Sequence, residues 1–423
     1  MTSRALSTRC CVVGGGPAGM MLGFLLARAG IDVTVLEKHA DFLRDFRGDT
    51  IHPSTLELMH ELGLLTDFLR LPHQEVRTLA AQFGDTELTV ADFSHLPTRC
   101  RFIALMPQWD FLDFLAEQGQ RYPGFHLLMR TEATDLVTSS GAVHGVLAAS
   151  PDGPLDIRAD LVVACDGRHS LMREKAGLAI EELGAPMDVF WFRVSRHPGD
   201  PDETKLMFAA GHILILLDRG DYWQCAHAIP KGSADEVRRR GLPAMRDAVA
   251  GIAPFLRERL NELTDWDQIK LLSVRVDRLK DWYRPGLLCI GDAAHAMSPI
   301  GGVGVNLAVQ DAVAAANILA GALHAGPAGP DLLARVQQRR ELPARLTQAV
   351  QVFIQNRLIA NLLGNTEQTS PPFAFRLLKL FPILRRLPAR LVGLGVRPEH
   401  IHTPDVGARE PRSGGTPEPQ PKS

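Results

Sequence analysis

The chain has 423 residues, with 46 Lys plus Arg against 48 Asp plus Glu and a formal net charge of -2. Hydrophobic residues make up 45% and charged residues 22%, which excludes a disordered chain, a collagen-like chain and a coiled coil. The near-neutral charge gives no reason to expect nucleic acid as a partner. A length of this order suggests two to three domains that need neither disulfide nor metal to fold.

The six cysteines, Cys10, Cys11, Cys100, Cys165, Cys225 and Cys289, form no C-x-x-C pair and read as reduced core thiols. Arg4 and Arg9 precede an apolar stretch, but Gly14, Gly15, Gly16, Pro17 and Gly19 interrupt it and Arg28 closes it. No continuous apolar segment of about 20 residues is expected, and the reading is a cytoplasmic enzyme.

In chain order, Cys10–Val13 reads as a buried strand, Pro17–Ala29 as a helix stopped by Gly30, and Val33–Leu36 as a second strand. This order predicts a right-handed strand–helix–strand unit in a parallel sheet. Pro53–Leu62 and Trp109–Gln120 read as helices, with a β excursion between Glu75 and Phe102. Leu161–Cys165 is a buried strand ending at Asp166-Gly167. From Met187 to Val276, short strands separated by turns such as Asp218-Arg219-Gly220 predict an antiparallel sheet with helical stretches between Ala234 and Leu263. Leu287–Ile290 returns as a buried strand, followed by the apolar helix Val303–Leu323 and a mostly helical stretch from Asp331 to Asn361. The predicted division is 1–74, 103–186 and 277–330 as one discontinuous domain, 75–102 and 187–276 as a second, 331–403 as a helical region and 404–423 as a disordered tail.

Gly14-x-Gly16-x-x-Gly19 follows a strand and opens a helix. Gly14 permits the tight turn, Gly16 lets backbone approach a pyrophosphate, and Gly19 lets helix pack on strand. The helix N-terminus presents free N–H groups to the anion. Glu37, 18 residues after Gly19, stands where a carboxylate accepts from a ribose diol. The motif does not separate FAD from NAD.

Two later motifs do. Cys165-Asp166-Gly167-Arg168-His169-Ser170-x-x-Arg173 and Gly291-Asp292-Ala293-Ala294-His295-x-x-x-Pro299-x-x-Gly302-x-Gly304-x-Asn306 each follow a buried strand. With the glycine fingerprint, in this order, they resemble the class A flavoprotein monooxygenases, the single-component aromatic hydroxylases. The resemblance covers about residues 8 to 330. It implies an α/β protein with a Rossmann-like FAD-binding domain on a parallel sheet, an antiparallel-sheet substrate domain and a C-terminal helical region.

The resemblance also implies roles. Glu37 binds the adenosine ribose, Arg47 lies near the pyrophosphate and the path of the nicotinamide cofactor, and Gln108 contacts FAD. Asp166 serves FAD and NAD(P)H, Asp292 holds the ribityl or pyrophosphate region, and Pro299 lies beside the isoalloxazine. The backbone from Gly302 through Val303, Gly304 and Val305 to Asn306 approaches the pyrimidine edge. Pro17, Ala18, Lys38, Ala133, Gly167 and Gly291 complete the cofactor set. Val303 stands where the family often has Gln, which removes one polar group. The helix N-terminus after Gly302 suits the negative charge of a reduced flavin.

The implied activity uses NADH or NADPH and O2 to hydroxylate an aromatic or other hydrophobic small molecule through a flavin C4a-hydroperoxide. No side chain stands out as catalytic, with Pro299 and His295 the candidates, and no metal is expected. Trp191, Arg193, Met207, His212, Trp223, Gln224, Cys225 and His227 are candidates for the substrate pocket. Strand alternation puts Trp223, Cys225 and His227 on one face and Tyr222 and Gln224 on the other, without saying which is inward. The alternatives are a flavin-dependent reductase of isoprenoid double bonds, a halogenase or a non-catalytic flavin-binding protein. The stretch Cys225–Pro230 lacks both tryptophans of the halogenase motif W-x-W-x-I-P. Residues Phe373 to His400 mix Arg and Lys with Leu, Phe and Ile. Pro382 and Pro388 favour a cap on the flavin domain over peripheral contact with a membrane.

Overall fold

The computed structural model describes residues 4–407 apart from 44–48, 85, 202–203, 210, 360–370 and 372. Arg47 and residues 408–423 therefore lie outside the described residues.

The strand Arg4–Val13 is the axis of the larger sheet. It pairs in parallel with Gly153–Ala164 on one side and Val33–Leu36 on the other. Phe125–Leu128 and Leu287–Cys289 extend the parallel sheet at its two sides. Cys10 to Val12 are fully buried, because both faces of the parallel sheet are covered and leave no polar alternation. Helix Pro17–Arg28 and helix Val303–Ala325 contribute to this core. Gly19 is required for it: a Cβ there would lie 1.9 Å from the Gly14 carbonyl oxygen.

The second sheet has seven strands in the order Lys270–Leu272, Met187–Ser195, Tyr222–Pro230, His212–Asp218, Lys205–Ala209, Thr78–Phe83 and Thr86–Asp92. It is antiparallel except where Lys205–Ala209 meets Thr78–Phe83 in parallel. That one departure from the expected pattern arises because the pair comes from two distant excursions of the chain. A small sheet of Thr50–Ile51, Ile103–Leu105 and Gln74–Val76 brackets the first of those excursions in sequence.

Helix Ile300–Ala325 corrects one expectation, since by length and composition it is apolar enough to cross a bilayer. It is a core helix instead: 78% of its apolar window is buried. It also carries Asp311, fully buried and paired with His295 at 2.6 Å and Arg340 at 2.9 Å. Arg340, on helix Pro330–Ile354, reaches Glu399 as well, at 3.2 Å. This charge cluster ties the C-terminal segment to the core.

The start of the expected tail is held rather than loose. Val406 N–H donates to the Arg28 carbonyl at 3.0 Å, and Asp405 pairs with Arg28 at 3.3 Å. Two proline-broken helices, Phe373–Leu380 and Arg386–Gly393, lead into this strap.

Breaking a buried charge pair leaves uncompensated charge in low dielectric, at about 3–5 kcal/mol. Arg340→Met leaves Asp311 with His295 and Glu399 with Arg339 as their remaining charge partners, and is expected to lower stability toward the low end of that range, about 3 kcal/mol. Denaturant unfolding of the FAD-saturated protein checks it, and a change below about 1 kcal/mol contradicts it.

Candidate active site

The dinucleotide cradle assembles at the carboxyl ends of the central strands. Gly14 turns the chain at φ +108°, with the backbone of Cys165 and Asp166 against it. Gly16 is the N-cap of the first helix, has no side-chain cap, and has open space within 4 Å of where a Cβ would be. No acidic residue stands in that first turn. Pro17 occupies the first helical position and Ala18 is buried. Glu37 is fixed at both oxygens, accepting from Gly15 N–H at 3.1 Å and His39 N–H at 2.9 Å. Lys38 is exposed and lies 3.9 Å from Glu132. Ala133 is buried in the sheet opposite Ala148.

The two later motifs meet. Arg168 and Asp292 pair at 3.3 Å. One oxygen of Asp166 accepts from Met172 N–H at 3.1 Å, while its buried Oδ1 has no partner. Burial pushes this carboxyl above its ordinary range. Gly167 has φ +84° and open space around it. Gly291 lies against Ala18 and Ala308, and its N–H donates to Asp311 at 3.1 Å.

Pro299 opens the turn Ile300–Gly302 that precedes helix Val303–Ala325. Gly302, at φ +62°, caps that helix with no side-chain bond, and a Cβ there would lie 2.3 Å from Thr50 Oγ1. Thr50 Oγ1 donates to the Gly302 carbonyl at 2.9 Å. Val303 and Gly304 form the first turn, and Val305 is buried. An uncapped first turn leaves N–H groups pointing outward. Two such termini, the partnerless Asp166 oxygen and the space beyond Gly16 fit a dinucleotide with two phosphates and a hydroxyl-bearing chain.

Asn306 is buried and its polar atoms are used within the protein. Its Oδ1 accepts from His52 N–H at 2.8 Å and Thr55 Oγ1 at 2.7 Å, and its Nδ2 donates to the Thr50 carbonyl at 3.0 Å. The side chain fixes the loop. His295 is buried between Trp282, at 4.9 Å between ring centroids, and Asp311. Burial alone would push Asp311 up, but His295 and Arg340 hold it below its ordinary value.

The second sheet has one face toward this loop and one toward its own helices. Phe190, Phe192, Met207, Trp223 and Cys225 share a core with helix Leu242–Ile252. His227 and His212 lie on the same side by register and share one hydrogen bond at 3.3 Å. Trp223 Nε1 donates to Asp200 at 2.8 Å. The opposite side carries Val189, Trp191, Ile213, Ile215, Ala226 and Ala228, packed with Ile300, Phe208 and Phe83. Arg193 and Gln224 face each other across the strand pair on this side, and Arg193 is exposed. Of the eight pocket candidates, Trp191, Arg193 and Gln224 thus lie on the side toward the loop. Met207, His212, Trp223, Cys225 and His227 lie on the helix-covered side.

Beside Gln224 the structure forms an ion pair that the motifs do not mark. Arg219 Nη2 lies 2.6 Å from Asp49 Oδ2, both side chains buried, and Arg219 Nε donates to Gln224 Oε1 at 3.0 Å. Gln108 N–H donates to Asp49 Oδ1 at 3.4 Å. Burial pushes Asp49 up, and the Arg219 charge with these hydrogen bonds pulls it partly back. Tyr222, also raised by burial, feels the charges of Arg219, Asp49 and Arg193. Only the sequence placement of Asp49 beside Arg47-Gly48 hints at a site, because Arg219 is 170 residues away.

A dinucleotide cradle facing an antiparallel roof across a helix N-terminus defines the flavoprotein monooxygenase class. The family model described as "FAD binding domain" matches residues 7–351, and the chain belongs to that family. It is 31% identical over 388 residues to 6-methylpretetramide 4-monooxygenase of Streptomyces rimosus, covering 91% of this chain and 92% of that one. It is 26% identical over 351 residues to 3-demethoxyubiquinol 3-hydroxylase of Escherichia coli strain K12, covering 79% and 85%. Its fold is similar to that of OxyS anhydrotetracycline hydroxylase from Streptomyces rimosus, with TM-score 0.68, 22% identity and coverage of 92% and 76%. The chain is an FAD-dependent monooxygenase.

Two buried histidines set an acid limit on stability. Burial pushes His52 down to about 4, and burial with the nearby His212 pushes His227 down to about 3. The unfolded chain then binds protons that the native state refuses, so stability is full above about pH 6.5 and falls as pH drops toward those values. The expected slope is about 1.4 kcal/mol per pH unit for each histidine. His227→Gln should remove about one proton from that slope, measured by unfolding between about pH 6 and 4.5. An unchanged slope contradicts the assignment.

Proposed function

We propose that this enzyme hydroxylates a flat, polycyclic polyphenol of the 6-methylpretetramide type. One observation carries the reading: the side of the roof toward the flavin loop is apolar along most of its length and ends in the buried Asp49–Arg219 pair with Gln224. Ile213, Ile215, Ala226 and Ala228 offer a surface for fused rings, and ring burial supplies most of the binding. The similarity to the Streptomyces rimosus enzyme over more than nine-tenths of both chains supports the same substrate class.

Bound FAD supplies hydride acceptance from NAD(P)H and activation of O2. Pro17, Ala18, Glu37, Asp166, Asp292 and the backbone from Gly302 to Asn306 hold it in this reading. Asp49 directly precedes Thr50, the residue hydrogen-bonded to Gly302, so the polar anchor and the flavin loop are fixed to each other. Asp49 accepts the hydrogen bond of a substrate phenol, and Arg219 steadies the negative charge that develops as the ring becomes electron-rich. Apolar walls exclude water, which keeps oxygen transfer ahead of peroxide release. His295 acts at one remove, holding the Gly291 turn through Asp311.

The test incubates FAD-loaded enzyme with NAD(P)H, isotopically heavy O2 and a tetracyclic polyphenol. A product with one heavy oxygen atom is expected. NAD(P)H oxidation without incorporation into any polyphenol, alongside hydroxylation of a monocyclic phenol, overturns the substrate class. Asp49→Asn should lower kcat/KM for the polyphenol at least about tenfold, the size of a lost charged hydrogen bond, while FAD content stays unchanged.

A further inference from the structure

We propose that the outer face of residues 373–397 docks on an anionic lipid bilayer surface. The two proline-broken helices there are two-sided. Inward, Phe375 meets Phe83 edge-on at 5.0 Å, and Phe83 stacks on Phe208 at 4.5 Å in the roof of the cleft. Ala389 and Gly393 press against Phe93, Leu96 and Pro53. Outward, Phe373, Leu380, Phe381, Ile383 and Leu387 are between 54% and 74% exposed. Scattered single apolar residues on a surface are ordinary, but five large ones within fifteen positions form a patch.

Charge identifies the occupant. Between Glu367 and Glu399 the sequence has no acidic residue, while Arg376, Lys379, Arg385, Arg386, Arg390 and Arg397 stand among the apolar ones. Among the described residues none of these six cations forms an ion pair, although the whole chain is near neutral. Cations interleaved with exposed Phe, Leu and Ile match a headgroup layer with acyl chains beneath it. A second copy of this chain would bring six like charges against six, so self-association on this face is disfavoured. Pro382 follows the end of helix Phe373–Leu380 and Pro388 lies in the first turn of helix Arg386–Gly393, so each helix has only eight residues, which suits segments lying along a surface and not spanning it. The lipid-facing helices are also a wall of the apolar cleft, so a greasy substrate dissolved in the bilayer has a short path to it.

The experiment is sucrose-gradient flotation of the full-length, FAD-loaded protein. Vesicles are phosphatidylcholine alone or phosphatidylcholine with phosphatidylglycerol. Flotation with the anionic vesicles, weakened by salt, is expected, with little on the neutral ones. Each surface cation removed should weaken binding about fivefold, so Arg386→Gln with Arg390→Gln should weaken it roughly twentyfold or more. Leu380→Ser with Ile383→Ser tests the apolar contribution, with monodispersity and FAD content showing that each variant is folded. Absence of flotation on anionic vesicles overturns the proposal, as does flotation undiminished in both variants. So does a dimer that the variants dissolve while vesicles capture nothing.

Discussion

Asn306 is the point on which the site depends. Its amide joins the first turn of helix Val303–Ala325 to the backbone of Thr50 and His52 and to the hydroxyl of Thr55, all within 3.0 Å. This fixes the uncapped N-terminus at Gly302 relative to the strand that begins beside Asp49. A buried amide with both ends satisfied is rigid, because any shift leaves an unpaired polar atom at about 1–3 kcal/mol. The flavin loop and the Asp49–Arg219 anchor therefore move as one body.

The C-terminal part of the chain reinforces that body. His52 Nδ1 donates to the Val392 carbonyl at 2.7 Å, so the last helix rests on the residue whose N–H serves Asn306. Arg340 joins Asp311 to Glu399, and Asp311 in turn accepts from the Gly291 turn and from His295. Two polar networks thus bind the C-terminal segment to the Gly291 turn and to the loop that precedes helix Val303–Ala325.

The local parts of this arrangement were legible in the sequence. The glycine fingerprint, Glu37 and the Asp166 and Asp292 turns each lie within one strand–turn–helix unit, where spacing dictates geometry. Alternation along Tyr222–Pro230 was also legible, but which side faces the loop was not. Helix Leu242–Ile252 decides that by covering Trp223 and Cys225, and no pattern within the strand encodes it. Arg219 read as a turn residue, because its partner Asp49 is reached only when the two sheets meet. Asn306 read only as part of a backbone run near the cofactor, and its side chain's bonds to Thr50, His52 and Thr55 were not legible because those partners lie 251 to 256 residues away in sequence. The apolar helix Val303–Ala325 was legible almost to its end, but its match in length and apolarity to a membrane span was not, because Asn306, Gln310 and Asp311 interrupt the pattern and are buried in the fold.

The central claim is that the Asn306 junction aligns the flavin loop with the polar anchor. Product formed per NAD(P)H consumed, in native enzyme and in Asn306→Ser at equal FAD occupancy, tests it most directly. The account predicts that the variant still oxidises NAD(P)H but releases much of the oxygen as hydrogen peroxide. Coupling equal to that of the native enzyme would contradict it.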